Sequence, residues 1–282
     1  MVMAEDARAP ARRSLLGVCV DPLSMTQAVR GCTDAVERGR YLSVGMLNAA
    51  KVVAMHKDEP LRQAVGRCGM ILADGQSVVW ASRLLGAPLP ERVAGIDLFT
   101  ALLGAASGRR YRVYFLGARP EVLHRMLAAV RRGYPDLIVA GARDGYFGAQ
   151  AEPDVVAGIR RARPDLLFMG MSTPRKELFG ARWGEQTGAA VVHGVGGSFD
   201  ILGGLTRRAP LWWQRHGLEW LYRAAQEPGR LGRRYLTTNT AFLALVAREA
   251  AARKLSDGRP AARRDGVPAD ASAPGAAERG SR

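Results

Sequence analysis

Three short segments carry side chains that can do chemistry, and each follows a run of apolar residues. The first is Leu72-Ala73-Asp74-Gly75-Gln76-Ser77. A carboxylate at the carboxyl end of a buried strand faces the ligand crevice of an open α/β sheet, where it can act as a general base. The alternative is structural, because Asp74 can instead cap the helix that follows while Gly75 supplies a turn. The local sequence leaves both interpretations open.

The second segment is rich in glycine and reads Gly194-Val195-Gly196-Gly197-Ser198-Phe199-Asp200. Glycine lets backbone amides approach a phosphate closely, so a nucleotide diphosphate would fit such a loop. The spacing does not match the GxGxxG fingerprint of dinucleotide-binding proteins, which also belongs in a first βαβ unit. A tight turn in which the glycines only permit close packing explains the same residues.

The third segment is Gly170-Met171-Ser172-Thr173-Pro174-Arg175-Lys176-Glu177. Ser or Thr before a proline at the first helical position is typical of an ordinary helix start. The segment becomes a candidate site only if it lies in the same crevice as Asp74 and Gly194.

These segments need a scaffold that brings strand ends together, and the rest of the sequence predicts one. Short apolar runs alternate with longer segments whose apolar residues recur at spacings of three and four, which is the pattern of right-handed βαβ units. The predicted strands are Tyr41–Leu47, Met70–Ala73, Tyr111–Gly117, Leu137–Ala140, Leu166–Met171 and Ala189–Val195, and the predicted helices include Met25–Arg38, Gln76–Leu85, Pro120–Arg132 and Pro153–Arg163. We therefore predict a Rossmann-like α/β fold with a mostly parallel sheet and helices on both faces.

The pattern changes after Gly204, where the sequence becomes basic, aromatic and helical. Residues 205–254 hold ten Lys or Arg against three Glu, with three Trp and two Tyr interleaved. Such a segment can bind nucleic acid, anionic lipid or a diphosphate, or it can be a solvated charged face. We predict a disordered N-terminus over 1–13, a catalytic domain over 14–204, a basic helical appendage over 205–254 for membrane and lipid-diphosphate contact, and a disordered tail over 255–282.

Composition excludes several classes of protein. A hydrophobic content of 48% excludes a wholly disordered chain. Cys19, Cys32 and Cys68 form no CxxC pair, which argues against a disulfide framework or thiolate zinc site and favours the cytoplasm. The four histidines do not have the spacing of metal ligands, and there is no Asp-x-Asp triplet to hold a divalent cation, so we expect a metal-independent protein without a cofactor. We expect His193 to be a packed or hydrogen-bonded histidine rather than a base. No segment has the roughly 20 apolar residues of a membrane span.

The ordered set of motifs resembles the WecG/TagA/CpsF family of bacterial glycosyltransferases, also called glycosyltransferase family 26, from about Leu16 to Phe242. The resemblance is carried by Leu47-Asn48-Ala49, Ala73-Asp74-Gly75, Pro90-Glu91-Arg92-Val93, Gly95-Ile96-Asp97, Pro174-Arg175-Lys176-Glu177, Gly194 through Asp200, Arg208-Ala209-Pro210, Gly217 through Arg223, Glu227-Pro228 and Arg230 through Tyr235. Each motif is weak alone, but their order is specific.

The resemblance implies inverting transfer of a sugar from a UDP-sugar to a sugar linked to undecaprenyl diphosphate. The family's proposed base falls on Asp74, with Asn48 beside it in the crevice and Arg92 placed for the departing diphosphate. The implied substrate-binding residues are Gly194, Gly196, Gly197, Asp200, Pro174 and Lys176, together with the appendage arginines Arg223, Arg230 and Arg233. The implied place is the inner face of the cytoplasmic membrane, where the protein is peripheral and contacts anionic lipid. A homo-oligomer is possible, and no nucleic acid is expected.

Two departures from the family pattern concern the donor sugar. Met46 stands where many members carry Thr, and Lys176 stands where they carry Gln before the motif Glu. The amino-acid sequence of several motifs is more similar to the xanthan-type GumM glucosyltransferase branch. This similarity favours UDP-glucose as the donor, a β-1,4 linkage and a role in exopolysaccharide synthesis. The alternative within the family is transfer of N-acetylmannosamine or its uronic acid. The alternative from another class is a basic nucleic-acid-binding protein.

Overall fold

The computed structural model of the protein describes residues 10–226, 229 and 233–257. The terminal stretches 1–9 and 258–282, which make up most of the predicted disordered ends, lie outside the described residues. In chain order the elements are β1 (Arg13–Leu15), β2 (Val18–Val20), α1 (Met25–Glu37), β3 (Leu42–Leu47), α2 (Ala49–Met55), α3 (Glu59–Gly66), β4 (Met70–Ala73), α4 (Gln76–Leu84), α5 (Gly95–Arg109), β5 (Arg112–Gly117), α6 (Pro120–Gly133), β6 (Ile138–Arg143), α7 (Glu152–Ala162), β7 (Leu166–Gly170), α8 (Arg175–Trp183), β8 (Val191–Gly194), α9 (Ser198–Leu202), α10 (Leu211–Arg215), α11 (Glu219–Gln226) and α12 (Arg233–Asp257).

Six parallel strands form one sheet in the order β4-β3-β8-β7-β5-β6. Each of these strands was predicted from its apolar run, and the mixed α/β architecture is confirmed. Strands β1 and β2 form a separate antiparallel hairpin that was not predicted. Because all six strands of the large sheet run the same way, the loops after β4, β3, β8 and β7 lie side by side along one edge.

Both faces of the sheet are covered by helices. On one face, α1, α5 and α6 enclose an apolar core that contains four phenylalanine rings. Phe115 and Phe168 are stacked, and the other contacts among Phe99, Phe115, Phe168 and Phe199 are edge to face or tilted. The other face carries two separate apolar clusters, one beneath α2, α3, α4 and α12 and one beneath α7 and α8. The seam between these two clusters passes over β3 and β8.

The predicted appendage divides into two parts with different packing. Helices α10 and α11 lie near the start of α4. Gly217, in the turn between them, has φ +70°, and an added Cβ there would lie 2.7 Å from Cβ of Gln76, the first residue of α4. Helix α12 instead packs on α2 and buries Phe242 and Val246 in the cluster on that face of the sheet. It runs to Asp257, past the predicted limit of 254.

Candidate active site

The three segments identified from sequence meet at the carboxyl edge of the sheet. Asp74 follows β4, Asn48 follows β3, the glycine segment follows β8 and Pro174 follows β7. In the order β4-β3-β8-β7 these strands are neighbours. The sheet thus places the candidate base, the glycine segment and the Pro174–Glu177 segment in one crevice, as expected for an open α/β sheet.

Both carboxylate oxygens of Asp74 accept hydrogen bonds. Oδ1 accepts one from the backbone N–H of Gly95 at 2.8 Å, and Oδ2 accepts one from Nδ2 of Asn48 at 3.1 Å. The side chain does not cap α4, because Gly75 is the N-cap residue and makes no side-chain cap bond. The capping interpretation of Asp74 is therefore wrong. Each oxygen keeps a lone pair for a ligand hydroxyl, since a carboxylate can accept about four hydrogen bonds.

Asn48 links the candidate base to the start of α2. It is the N-cap residue of that helix, and its Oδ1 accepts the backbone N–H of Lys51 at 3.0 Å. With the oxygen committed to the helix, the amide nitrogen must point toward Asp74. This close approach favours glycine at position 75, because an added Cβ would lie 3.1 Å from Cβ of Asn48 and would press on it.

His193 contacts the residue that positions Asp74. Its side chain is completely buried on β8, and Nε2 lies 3.4 Å from the carbonyl oxygen of Gly95, the residue whose N–H holds Asp74. Burial lowers the pKa of His193 to about 4, so the imidazole is neutral at physiological pH. The prediction that His193 is a packed, hydrogen-bonded histidine agrees with this geometry.

A chain of ion pairs ties the appendage to the crevice. Nη1 of Arg92 lies 3.2 Å from Oε2 of Glu219 at the start of α11. Nε of Arg208 lies 3.7 Å from Oε1 of the same Glu219, while its two Nη atoms bind both carboxylate oxygens of Asp97 in α5. Arg92 was predicted to meet a diphosphate, and in this structure its guanidinium is anchored by the appendage. A guanidinium has five N–H donors, so the pair with Glu219 leaves others for a phosphate.

The glycine segment forms a tight connection at the end of β8. The backbone N–H groups of Val195 and Gly196 both donate to the carbonyl of Met169, and Gly196 has a positive φ of 54° that favours glycine. Asp200 lies in the short α9 beyond it. The close-packing explanation holds for Gly194, where an added Cβ would lie 3.0 Å from Cδ of Lys176.

Pro174 and Lys176 lie on the other side of the same crevice. The helix α8 begins at Arg175, so Pro174 is its N-cap residue rather than its first residue, and the Thr173–Pro174 peptide bond is cis. Lys176 turns inward, and its Nζ bonds to Oγ1 of Thr173. The third segment is therefore more than an ordinary helix start.

Lys176 belongs to a buried cluster of charges. Oε1 of Glu177 lies 2.9 Å from Nζ of Lys176 and 2.7 Å from Nζ of Lys51, and it also accepts a hydrogen bond from Oγ1 of Thr173 at 3.1 Å. Burial alone would raise the pKa of Glu177, but the two ammonium groups outweigh it and hold that pKa below its ordinary value. Burial, followed by the charge of Lys51, lowers the pKa of Lys176.

A cavity of about 480 Å³ occupies the seam between the two helix clusters. Its floor includes Ser43 and Gly45 of β3 with Val192 and Gly194 of β8, and the Lys51–Glu177–Lys176 cluster lies in its wall. The cavity extends from Met46 and Gly194 near the carboxyl edge to Tyr41 before β3 and Arg160 in the last turn of α7. Ser43 and Gly45 of β3 and Gly194 of β8 have a small side chain or none, which leaves this space open above the two strands.

The remaining predicted residues are less well defined. Arg223 lies in α11 and Arg233 begins α12, but the side chains of both are outside the described set, and Arg230 is outside the described residues altogether. Over the ranges that the structure describes, no three His, Cys, Asp or Glu side chains gather as metal ligands. Metal independence remains a prediction.

Sequence reasoning missed three residues that contact the predicted site or its motifs, and they are Gly95, Glu219 and Lys51. Gly95 and Glu219 lie within the family motifs but carry no predicted role, and Lys51 follows the Leu47-Asn48-Ala49 motif without belonging to it. Lys51 stands three residues after Asn48, which places it in the first turn of α2 at the crevice. Tyr146 is 67% exposed after β6, and its hydroxyl accepts a hydrogen bond from Nε of Arg119 at 3.2 Å. The charge of Asp200 also acts on Arg119, so this ring and Asp200 lie at the same part of the sheet edge.

Comparison with known proteins identifies the family. The model of the glycosyl transferase WecG/TagA/CpsF family matches residues 13–256. The chain is 39% identical over 184 residues to a protein of Bacillus spizizenii named N-acetylglucosaminyldiphosphoundecaprenol N-acetyl-beta-D-mannosaminyltransferase, covering 65% of this chain and 70% of that protein. It is 31% identical over 231 residues to a protein of the same name from Staphylococcus aureus, covering 81% of this chain and 90% of that protein. The chain therefore belongs to the WecG/TagA/CpsF family and is a glycosyltransferase.

Proposed function

We propose that the protein transfers an N-acetylmannosamine-type sugar, either neutral or as its uronic acid, from a UDP-sugar to N-acetylglucosamine linked to undecaprenyl diphosphate. The acceptor and the neutral N-acetylmannosamine donor come from the names of the relatives in Bacillus and Staphylococcus, and the uronic acid form is the alternative that the family resemblance leaves open. These names favour the N-acetylmannosamine alternative over the glucose donor, which is the donor that the motif sequences favour. Family membership likewise favours an enzyme over the nucleic-acid-binding alternative.

The observation that carries the proposal is the position of Asp74 across the crevice from the glycine segment. In an inverting transfer, the acceptor hydroxyl loses its proton as its oxygen attacks the anomeric carbon. The bond from that carbon to the β-phosphate oxygen breaks, and UDP leaves with the electron pair. Asp74 accepts the proton, while the N–H of Gly95 and the amide of Asn48 fix the direction of its free lone pairs.

Charge on the leaving diphosphate must be met by positive groups, and Arg92 is the first of these. Its side chain is only 16% exposed, and Glu219 holds it in place at the edge of the crevice. The backbone N–H of Gly197, which the turn at the end of β8 does not use, supplies a further donor for a phosphate oxygen. We assign Asp200 and the exposed ring of Tyr146 to the nucleoside end of the donor, since they lie beyond the glycines at the same edge.

The acceptor is a lipid, so we propose that the protein is peripheral on the inner face of the cytoplasmic membrane. In the described part of the chain, no helix combines the length and the apolar character needed to cross a bilayer. Large apolar side chains are nevertheless exposed on α4, α10 and α11, and they are Trp80, Leu84, Leu211, Trp212, Trp220 and Leu221. With a formal charge of +15, such a surface suits the boundary of an anionic membrane.

Mass spectrometry of the product tests this proposal directly. The purified chain would be incubated with a short-chain prenyl diphosphate N-acetylglucosamine and, separately, with UDP-N-acetylmannosamine, its uronic acid form and UDP-glucose. We expect the acceptor to gain the mass of one N-acetylmannosamine-type residue. Transfer from UDP-glucose alone would overturn the assignment of the donor, and hydrolysis without transfer to lipid would overturn that of the acceptor.

A further inference from the structure

The edge of the sheet opposite the crevice carries a dense group of arginines. Helices α5, α6 and α7 end at this amino edge and lead into β5, β6 and β7, which are neighbours in the order β7-β5-β6. Residues 109–112, 131–137 and 160–165, which form these helix ends and turns, contain eight arginines, two aspartates and no lysine or glutamate. All eight are exposed, and we call them the arginine patch: Arg109, Arg110, Arg112, Arg131, Arg132, Arg160, Arg161 and Arg163.

Little of this positive charge is neutralised within the fold. Among the residues that the structure describes, Arg109 is the one member of the patch with an ion pair, to Glu37 at 3.4 Å. Arg112 donates from its guanidinium to two carbonyls at the end of α7, and Asp165 accepts the backbone N–H of Arg112 rather than a guanidinium. The patch therefore presents most of its charge to the surroundings.

Two members of the patch stand where the backbone conformation favours glycine. Arg110 and Arg163 are the C-cap residues of α5 and α7, and both have a positive φ, of 57° and 48°. After α1 and α4 the chain instead has glycine at the positive-φ position, Gly39 at 59° and Gly86 at 69°. A side chain in this left-handed conformation costs free energy that glycine avoids. The two arginines are therefore not explained by the needs of the local backbone.

The composition and the place of the patch indicate the chemistry of its partner. A guanidinium presents paired N–H donors that match a carboxylate, so a group of arginines suits a segment rich in Asp and Glu. Single-stranded nucleic acid is disfavoured because its bases stack on exposed aromatic rings. The two rings of the patch region, Tyr111 and Tyr134, are partly buried, and their hydroxyls donate to Glu37 and to the carbonyl of Thr100. A membrane that meets the crevice lies at the other edge of the sheet.

We propose that the arginine patch binds an acidic segment of a partner protein while the crevice at the other edge of the sheet stays open to donor and acceptor. The inference goes beyond the proposed function, because sugar transfer uses only the carboxyl edge. A partner at the amino edge would hold the enzyme beside another protein on the side away from the lipid acceptor. This orientation rests on the proposed function, whereas binding of the acidic segment does not.

Fluorescence anisotropy with a labelled oligoglutamate peptide tests the binding. The patch variant carries Arg110→Gln, Arg132→Gln and Arg163→Gln in the full chain. We expect the wild type to bind the peptide saturably and more weakly as salt is raised. The patch variant should bind at least about tenfold more weakly, because several surface ion pairs are lost together. Absence of binding by the wild type, or equal binding by the two proteins, would overturn the proposal.

A control variant separates the patch from the general charge of the chain. It carries Arg30→Gln, Arg62→Gln and Arg248→Gln, which remove the same charge from exposed positions on α1, α3 and α12. This variant should bind the peptide within about twofold of the wild type, as expected where no ion pair to the peptide is lost. A loss of affinity equal to that of the patch variant would show that net charge alone attracts the peptide, and the proposal would fail.

Substitution by glycine distinguishes a binding role of the patch from a structural one. Arg110→Gly with Arg163→Gly removes two cations and relieves the left-handed backbone, so the Tm should stay the same or rise while affinity for the peptide falls. A lower Tm with unchanged affinity would mean that the arginines only complement the helix ends, and it would overturn the proposal.

The same variants identify the class of partner. A larger loss by the patch variant for a short RNA duplex, or for vesicles of anionic lipid, than for the peptide would assign the patch to nucleic acid or to the membrane and overturn the proposal. Sugar transfer by the patch variant should equal that of the wild type, and a loss in this variant alone would place the patch in the catalytic machinery instead. Failure of the wild type to transfer sugar would overturn the proposed function and leave the peptide result standing.

Discussion

At the residue scale, the proposed chemistry depends on the groups that surround the carboxylate of Asp74. Asp74 has no lysine or arginine among its hydrogen-bond partners in the described residues, only the amide of Asn48 and the N–H of Gly95. These two neutral donors fix the direction of the carboxylate without a cation bonded directly to it. Asn48 therefore has two separable roles, one as the N-cap of α2 and one as the orienting partner of Asp74.

Asn48→Asp separates these two roles. Asp caps a helix about as well as Asn, so the free energy of unfolding should change by less than about 1 kcal/mol. A second carboxylate next to Asp74 disfavours ionisation of the pair, so the acidic limb of the pH profile of kcat/KM should move to higher pH. Asn48→Ala is the comparison, because it should weaken the cap without moving that limb in the same way. An unchanged acidic limb in Asn48→Asp would contradict contact between the two groups during catalysis.

His193 makes a prediction about stability and pH. The folded protein keeps this imidazole neutral down to about pH 4, whereas an unfolded chain protonates it near its ordinary value of 6.5. Lowering the pH through this window therefore favours the unfolded state, with a total loss of about 3 kcal/mol at a slope of at most about 1.4 kcal/mol per pH unit. Denaturant titrations at several pH values should show this loss in wild type and a smaller one in His193→Gln. Equal pH dependence in the two proteins would contradict the assignment.

At the scale of elements, the strands could be predicted and many of the contacts between them could not. Apolar runs are sufficient to locate buried strands, and parallel strands must bring Asp74, Gly194 and Pro174 to one edge. The pairs Arg92–Glu219 and Arg208–Asp97 join residues more than 100 positions apart, which no local pattern indicates. The β1–β2 hairpin was missed because its strands have three residues each and its turn puts Leu16 at φ 52°, a conformation that leucine rarely adopts.

The bidentate pair between Arg208 and Asp97 should control how firmly residues 205–226 are held. Asp97→Asn replaces a charged pair by a weaker hydrogen bond, so local opening of this segment should become easier by about 1–2 kcal/mol. Hydrogen exchange of amides in α10 and α11 should accelerate by about tenfold while exchange in the sheet strands is unchanged. Arg62→Gln serves as the control, since its partner Glu59 is on α3. Uniform acceleration across the molecule, or none in α10 and α11, would contradict the anchoring role.

At the scale of the whole molecule, the exposed apolar surface and the basic charge act together. Leu211 and Trp212 on α10 are 66% and 58% exposed, and this helix lies near the start of α4 beside the crevice. Under the proposed function the acceptor keeps its prenyl chain in the bilayer, so we expect the crevice to face the membrane surface. The homo-oligomer considered from the sequence remains a prediction.

Vesicle binding tests this orientation. The double variant Leu211→Ser, Trp212→Ser should bind vesicles containing anionic lipid at least about tenfold more weakly, because it loses apolar area at the headgroup boundary. Binding of the wild type should also weaken as salt is raised. Leu255→Ser is the control. Leu255 is 75% exposed in the last turn of α12, and Arg253 in the same turn bonds to the carbonyls of Leu85 and Ser14. Equal weakening by both substitutions would contradict a membrane face at α10.

Turnover and UDP binding of Asp74→Asn show whether Asp74 removes the proton from the acceptor hydroxyl, as we propose. The variant keeps the size of the side chain but cannot take the proton, so transfer to the lipid acceptor should fall at least about 100-fold. The Kd for UDP should stay within about twofold, and Asp136→Asn, in the exposed turn before β6, should behave like wild type. A folded Asp74→Asn protein that transfers sugar at the rate of the wild type would contradict the account.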